Sequence, residues 1–202
     1  MTPATLATAM ARPLNSGETR DGFRFRGGHP ALDFTATTLG RRTGKPRELL
    51  VTPHDFARWL CASGLAQTVS ICDEESLAVA RRLREAIYLL VQARLSGAKS
   101  PAAARKLINE VAATPSAPPR LDAHGAAVRT GGAAAFLSHL ARLAVDLLGG
   151  EPASRIRRCE GVTCAILFLD TSRAGDRRWC SMAVCGNRAK VAEFRQRQRD
   201  GA

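Results

Sequence analysis

The stretch that decides this chain runs from Cys159 to Lys190, CEGVTCAILFLDTSRAGDRRWCSMAVCGNRAK. It holds Cys159, Cys164, Cys180 and Cys185, four of the six cysteines, spaced C-x4-C, fifteen residues, then C-x4-C. Each short loop turns a pair of thiolates toward one point, and the middle segment is long enough to bring the pairs together. That is the spacing of a tetrahedral Zn(II) site with sulfur ligands about 2.3 Å from the metal. Four thiolates leave no open coordination position, so one zinc per chain would be structural and not catalytic. Residues 151–202 hold too little apolar material for a core of their own, and metal binding of about 10–16 kcal/mol suffices to fold such a segment. The same cysteines admit two other readings, a pair of disulfides in an exported protein or redox-labile thiols. His29, His54, His124 and His139 have no ligand spacing, and Cys61 and Cys72 lie in or beside helical patterns as inert thiols.

After Cys185 the chain continues GNRAKVAEFRQRQR to Arg199. On a helix Arg188, Arg195 and Arg199 share one stripe and Lys190 and Arg197 another, with Val191 and Phe194 between them as an anchoring face. With Arg177 and Arg178, residues 177–199 hold seven basic groups and one acid, Glu193. The expectation is a finger laid on a nucleic-acid backbone: guanidinium groups meet phosphates, and Asn187, Arg188 or Arg195 reach base edges. Trp179 and Phe194 are expected in the core, which leaves no aromatic platform for single-stranded bases and favours duplex DNA.

Upstream, the pattern is mostly helical. Phe23–Thr37 reads as an extended entry into the core. Thr52-Pro53-His54-Asp55 opens a short helix that Gly64 can close. Leu83, Ile87, Leu90 and Val91 recur at helical spacing after the acids 73–75, as far as Gly97. Ser100-Pro101 starts another helix to about Ala113, before a Pro-rich break at 114–119. His124-Gly125 centres a small hairpin in 121–130, and an apolar stripe from Phe136 to Leu148 ends at Gly149-Gly150. The expected architecture is therefore mainly α: a flexible tail 1–22, a multihelical domain 23–149 with a small β-hairpin, and a zinc-stapled β-hairpin and helix at 150–202.

The chain has 202 residues, 45% hydrophobic, so it has room for one domain and a small module. Its 30 basic residues against 18 acidic give +12, which raises the expectation of a polyanionic partner. Of those 30, however, 26 are Arg, a skew that a GC-rich genome produces without selection for binding. The first twenty residues lack an apolar secretion signal and no segment is apolar enough to span a bilayer, so a reducing cytoplasm and no membrane partner are expected. No nucleophile–base–orienter set, HExxH or phosphate loop is present, and catalysis is not expected; an enzyme built on Cys61 or a histidine is the weakest reading.

The run Cys159-x4-Cys164, Phe168-Leu169-Asp170-Thr171-Ser172, Arg177-Arg178-Trp179-Cys180-Ser181-Met182 and Cys185-Gly186-Asn187-Arg188-Ala189-Lys190 closely resembles the CGNR zinc finger of bacteria. In that family the finger follows a largely helical domain called ABATE, and the proteins are regarded as stress-induced transcription regulators. Gly28, Leu32-Asp33-Phe34, Thr37, Leu83-Arg84-Glu85-Ala86 and Leu107-Ile108-Asn109 resemble that domain, so the likeness spans about 23 to 199. It implies zinc on the four cysteines, and Arg177, Arg178, Asn187, Arg188 and Lys190 in the part that meets DNA. It also implies a small-molecule effector for the first domain, with no residue set that identifies the molecule. One departure is Ala36, where the family usually carries Asn. A buried charge pair between Asp33 and Arg84 is expected to fix the first domain. The resulting picture is a cytoplasmic DNA-binding regulator, with a homodimer as a way to add affinity; its rival is a zinc-thiolate redox or protein-interaction module without DNA binding.

Overall fold

The computed structural model describes residues 18–200. Of the expected tail, residues 1–17 lie outside the described residues, while the remainder is ordered into a hairpin: β1 (Glu18–Arg20) pairs antiparallel with β2 (Phe23–Phe25). The turn has positive φ at both central residues, Asp21 (48°) and Gly22 (79°), the geometry that matches strand twist in a two-residue hairpin. Phe23 and Phe25 point into the core.

The stretch expected to stay extended to Thr37 instead turns into a helix, α1 (Pro30–Thr35). Proline at the first helical position presets φ, and His29, in extended backbone, accepts the Ala31 N–H on Nδ1 at 3.3 Å. The start signal was hard to see because histidine stands where Ser, Thr, Asp or Asn usually caps. A second short hairpin, β3 (Thr38–Leu39) with β4 (Arg47–Glu48), follows. Helix α2 (Pro53–Ala62) begins as the sequence says: Thr52 and Asp55 close a reciprocal capping box under Pro53.

Strand β5 (Thr68–Val69) leads to α3 (Glu74–Ser96), capped by Asp73 and ended by Gly97 in the left-handed conformation. Helix α4 (Ala102–Ala113), the expected hairpin β6 (Arg120–Leu121) and β7 (Ala127–Val128), and α5 (Ala133–Gly149) complete the helical part. Just before α5, β8 (Thr130–Gly131) pairs parallel with β5 and ties the two halves together. Helix α3 packs against α1, α4 and α5. Its core is aromatic at one end, where Phe34 and Trp59 lie 4.7 Å apart, and aliphatic elsewhere.

The expected Asp33–Arg84 pair is not formed. Arg84, 4% exposed, grips Glu48 through both terminal nitrogens at 2.6 and 2.7 Å, donates Nε to Glu85 at 2.9 Å and reaches the Thr37 hydroxyl. Arg41 holds the same Glu85 in a two-pronged contact at 2.7 Å. Asp33 lies on the other side of α1, where Oδ1 accepts the Gly27 N–H at 2.6 Å and Oδ2 has no partner. Sequence cannot tell which carboxylate a short hairpin will bring to α3; here the β3–β4 hairpin brings Glu48.

Burial pushes the Asp33 carboxyl up from 3.8 to about 7, against the opposing pull of the Gly27 N–H and the Arg20 charge. Between those two values the folded chain holds a proton that the unfolded chain has lost, so this group makes stability fall as pH rises from about 4 to about 7. Asp33→Asn keeps an acceptor for Gly27 and removes the titration. Urea unfolding across that range is expected to show the variant gaining on the parent as pH rises. A difference that stays level with pH would refute the assignment.

Candidate metal centre and basic helix

Beyond α5 a 3-10 turn (Glu151–Arg155) leads into β9 (Ile156–Arg158), which pairs antiparallel with β10 (Leu167–Leu169). The loop joining them is a knuckle: the Cys159 N–H donates to the Ile166 carbonyl and the Cys164 N–H to the Gly161 carbonyl, both at 2.9 Å. Gly161 has to be small, since a Cβ there would come within 3.1 Å of the Cys164 Cβ and 3.4 Å of the Cys185 sulfur. A polar loop returns the chain. Buried Asp170 organises it, accepting from the Ser172 and Arg177 N–H groups at 2.9 Å and the Ser172 hydroxyl at 2.6 Å. These bonds outweigh burial and keep its pKa below the usual carboxylate range. The second cysteine pair sits before and within one π-helical turn, Met182–Gly186, capped by the Ser181 hydroxyl.

The four Sγ atoms lie within 4.8 Å of one another, and Cys180 is 3.8 Å from both Cys164 and Cys185. A tetrahedron with metal–sulfur bonds of about 2.3 Å has an edge of about 3.8 Å, so the donor set fits a tetrahedral d10 cation. A disulfide would require sulfurs about 2.05 Å apart, and all four thiols are free, so the paired-disulfide reading falls. Hydrogen bonds from the Cys164 and Cys180 thiols hold the Cys159 pKa far below the usual thiol range. The same hydrogen bonds push Cys164 up to about 12 and Cys180 upward too, because each thiol would lose its bond to the Cys159 sulfur on giving up the proton. Ala36, Ile166 and Phe168 enclose the sulfurs. The position where the family usually has Asn is thus a packing contact here, made from the end of α1.

The finger is not a free module. Ile156 and Leu167 sit in the same core as α3 and α5, and the Leu169 N–H donates to the Gly27 carbonyl at 2.8 Å. The shortage of apolar residues beyond Glu151 is met by sharing the neighbouring core as well as by any metal. Arg42, in the β3–β4 loop, supplies the second tie. Its Nη1 donates toward the carbonyls of Cys159, Gly161 and Cys164 at 3.4, 3.1 and 3.2 Å. Sequence reasoning missed this residue, because a lone arginine in a loop carries no signal of the knuckle it reaches.

The expected DNA-contacting residues divide into two groups. Arg177 is spent inside the finger: Nε donates to the Trp179 carbonyl at 2.8 Å, Nη2 to the Cys180 carbonyl, and the guanidinium lies over the Phe168 ring. Arg178 lies over Trp179 and binds Glu160 at 2.6 Å, although both ends of that pair are exposed. The others stand on α6 (Asn187–Asp200). Among the described residues Arg188, Lys190, Arg195 and Arg199 have no ion pair, and Arg197 has a loose one with Glu193 at 3.8 Å. The helix packs on the π turn that precedes it, and Arg188, Ala189 and Ala192 face the knuckle loop across a cleft of about 140 Å3. From 190 to 199 every side chain is exposed. Val191 and Phe194 are 48% and 61% exposed, so among the described residues the expected anchoring face is not buried. Trp179 does join the sulfur cluster, half-buried. Among the described residues no second layer of the fold reaches the far end of α6, and its apolar pair stays exposed.

Comparison with known families gives two matches. Residues 28–151 match ABATE, described as "Putative stress-induced transcription regulator", and residues 155–198 match the CGNR zinc finger. No curated protein matches the chain.

Groups that orient a metal site from outside are worth about 10–100-fold in metal affinity. Arg42→Ala is therefore expected to speed zinc transfer to a chromophoric chelator about tenfold, with far-UV circular dichroism unchanged. Arg42→Lys, which keeps one charged donor, should fall between. Equal rates for all three proteins would mean that the carbonyl contacts do not hold the knuckle.

Proposed function

The chain belongs to the ABATE family and carries a CGNR zinc finger, and from that premise we propose that it is a cytoplasmic DNA-binding transcription regulator with no catalytic step of its own. Zinc on Cys159, Cys164, Cys180 and Cys185 would fix the direction in which α6 leaves the finger; when bound it supplies a structural cross-link and nothing else. Five basic residues of α6, Arg188, Lys190, Arg195, Arg197 and Arg199, then meet the phosphates of a duplex. The observation that carries this reading is the helix itself. A cationic rod projects from a rigid root with its charges unspent, whereas Arg177 and Arg178 have partners inside the finger.

The helical part takes the sensing role in this proposal. Supporting it is a cleft of about 460 Å3 between α3, α4 and α5, with an apolar wall that includes Leu90, Ile108 and Val145 and with Arg94 at its rim. Arg94 also donates to the Ala153 carbonyl at 2.9 Å, in the turn that leads into the finger. The rival reading, a redox or protein-interaction module, has less support: Cys159, Cys180 and Cys185 are buried, which limits access by an oxidant.

Neutralising five phosphates gives a slope of log K against log salt near −4.5, from about −0.9 per phosphate. Fluorescence anisotropy on a labelled duplex is expected to return about that value. Arg195→Ala or Arg199→Ala should make the slope shallower by about 0.9 each. Arg178→Ala should leave it nearly unchanged. No duplex binding at low salt, or a slope near zero, overturns the DNA reading.

A further inference from the structure

Helix α6 carries more than charge. Asn187, Val191, Phe194 and Gln198 stand at i, i+4, i+7 and i+11, which places them within about 60° of one another on an α-helix. All four are exposed. Lys190 and Arg197 flank this stripe on one side and Arg188, Arg195 and Arg199 on the other, about 70–110° from its centre. Glu193, the acid within this span, falls about 130° away, on the back of the helix. The side turned to the knuckle loop, around Ala189 and Ala192, is about 130–170° from the stripe, so the finger does not cover it.

A central stripe of amides and apolar groups with a cationic margin on both sides matches the cross-section of a major groove, where base edges line the floor and phosphates line both walls. The side chains on the stripe select among base pairs. Asn and Gln amides match the N6 donor and N7 acceptor of adenine, and exposed Phe and Val match the C5 methyl of thymine. Arg, the usual reader of guanine, is absent from the stripe. The Asn187 amide already gives one N–H to the Ala183 carbonyl at 3.2 Å, which orients it and leaves its oxygen and second N–H free. From Asn187 to Gln198 the helix rises about 16 Å, which covers about five base pairs.

We propose that the Asn187–Val191–Phe194–Gln198 face of α6 reads a run of about five A·T base pairs in the major groove of duplex DNA. The inference rests on the DNA-binding reading and adds the sequence class and the residues that select it. It assigns a partner to the exposed Phe194, which has none among the described residues. Self-association through this face is disfavoured, because two copies would bring ten basic side chains together at their α6 helices.

The test uses the full zinc-loaded chain and a random pool of duplex DNA. Selection is expected to enrich a core of about five A·T pairs; a G·C core overturns the proposal. On the selected duplex, replacing thymine by deoxyuridine removes the methyls and nothing else. The parent protein should lose about fourfold in affinity per contacted methyl. Phe194→Ala should lose the part of that methyl dependence that Phe194 supplies, and Val191→Ala with Phe194→Ala should bind the two duplexes alike, with unchanged zinc content because both side chains are exposed. A parent protein indifferent to the methyls overturns the proposal even if it binds DNA with the expected salt slope, and in that case the phosphate reading survives alone. Failure to bind any duplex defeats both readings. Phe194-dependent binding to phosphatidylserine vesicles, with duplex binding unaffected by Phe194→Ala, assigns the exposed ring to a membrane surface and also overturns it.

Discussion

Four sulfur atoms packed within 4.8 Å of one another are the constraint on which the distal half of the structure depends. Without a cation the cluster favours a thiolate at Cys159, and the hydrogen bonds that Cys164 and Cys180 give it hold the protons on those two thiols. A divalent ion reverses that preference by drawing four thiolates to one point. The cluster fixes two chain segments relative to each other, the knuckle at 159–164 and the turn at 180–185. Helix α6 leaves directly from the second, so its direction is set by where the four sulfurs meet.

The cluster is in turn seated on the helical part. The β9–β10 hairpin gives Ile156 and Leu167 to the main core, α1 gives Ala36 to the sulfur cluster, and Arg42 reaches across to three knuckle carbonyls. Arg42 is adjacent to Arg41, which is locked to Glu85 of α3, the same carboxylate that Arg84 touches beside Glu48. Ion pairs from α3 to Arg41, one peptide step to Arg42 and its donations to backbone carbonyls therefore link the central helix to the cysteine knuckle. The finger is an extension of the helical core, and its helix is the part that remains outside.

Some of this was legible in the sequence because the signals are local. A capping box at Thr52 and Asp55, a glycine stop at Gly97 and paired cysteines each act over a few residues and survive in any tertiary context. What escaped was decided by contacts distant in the chain. Helix α1 was read as extended because its cap is a histidine. Asp33 was paired with the wrong partner because the hairpin that carries Glu48 to Arg84 is made of two-residue strands with almost no pattern of their own. Phe194 was assigned to the core on hydrophobicity alone; only the absence of a second layer beside α6 shows that it is not there. The grouping of the four cysteines is readable from spacing, whereas Arg42 is not, because it lies more than a hundred residues away.

The arginine skew of the chain can now be weighed. A composition rich in Arg makes +12 a poor measure of affinity for polyanions, and the structure shows where many of those charges go. Arg81, Arg94 and Arg142 cap backbone carbonyls of neighbouring segments, Arg58 holds Asp21 and Asp55, and Arg177 binds the cysteine turn. In those places guanidinium serves as a forked donor that a folded chain can use anywhere. Their charge remains, but their donors are committed, and a phosphate would have to displace a carbonyl or a carboxylate. On α6 that displacement is not required. The field a polyanion meets there is carried by side chains free to reorganise around it, and the buried tetrathiolate, with a net charge of about −2 once a divalent ion is bound, lies at the root of the helix and not at its tip. Arg24, Arg47, Arg82, Arg120, Arg158 and Arg173 are exposed elsewhere on the surface, so what sets α6 apart is arrangement: its basic side chains flank, on both margins, a stripe of Asn187, Val191, Phe194 and Gln198 from which arginine is excluded.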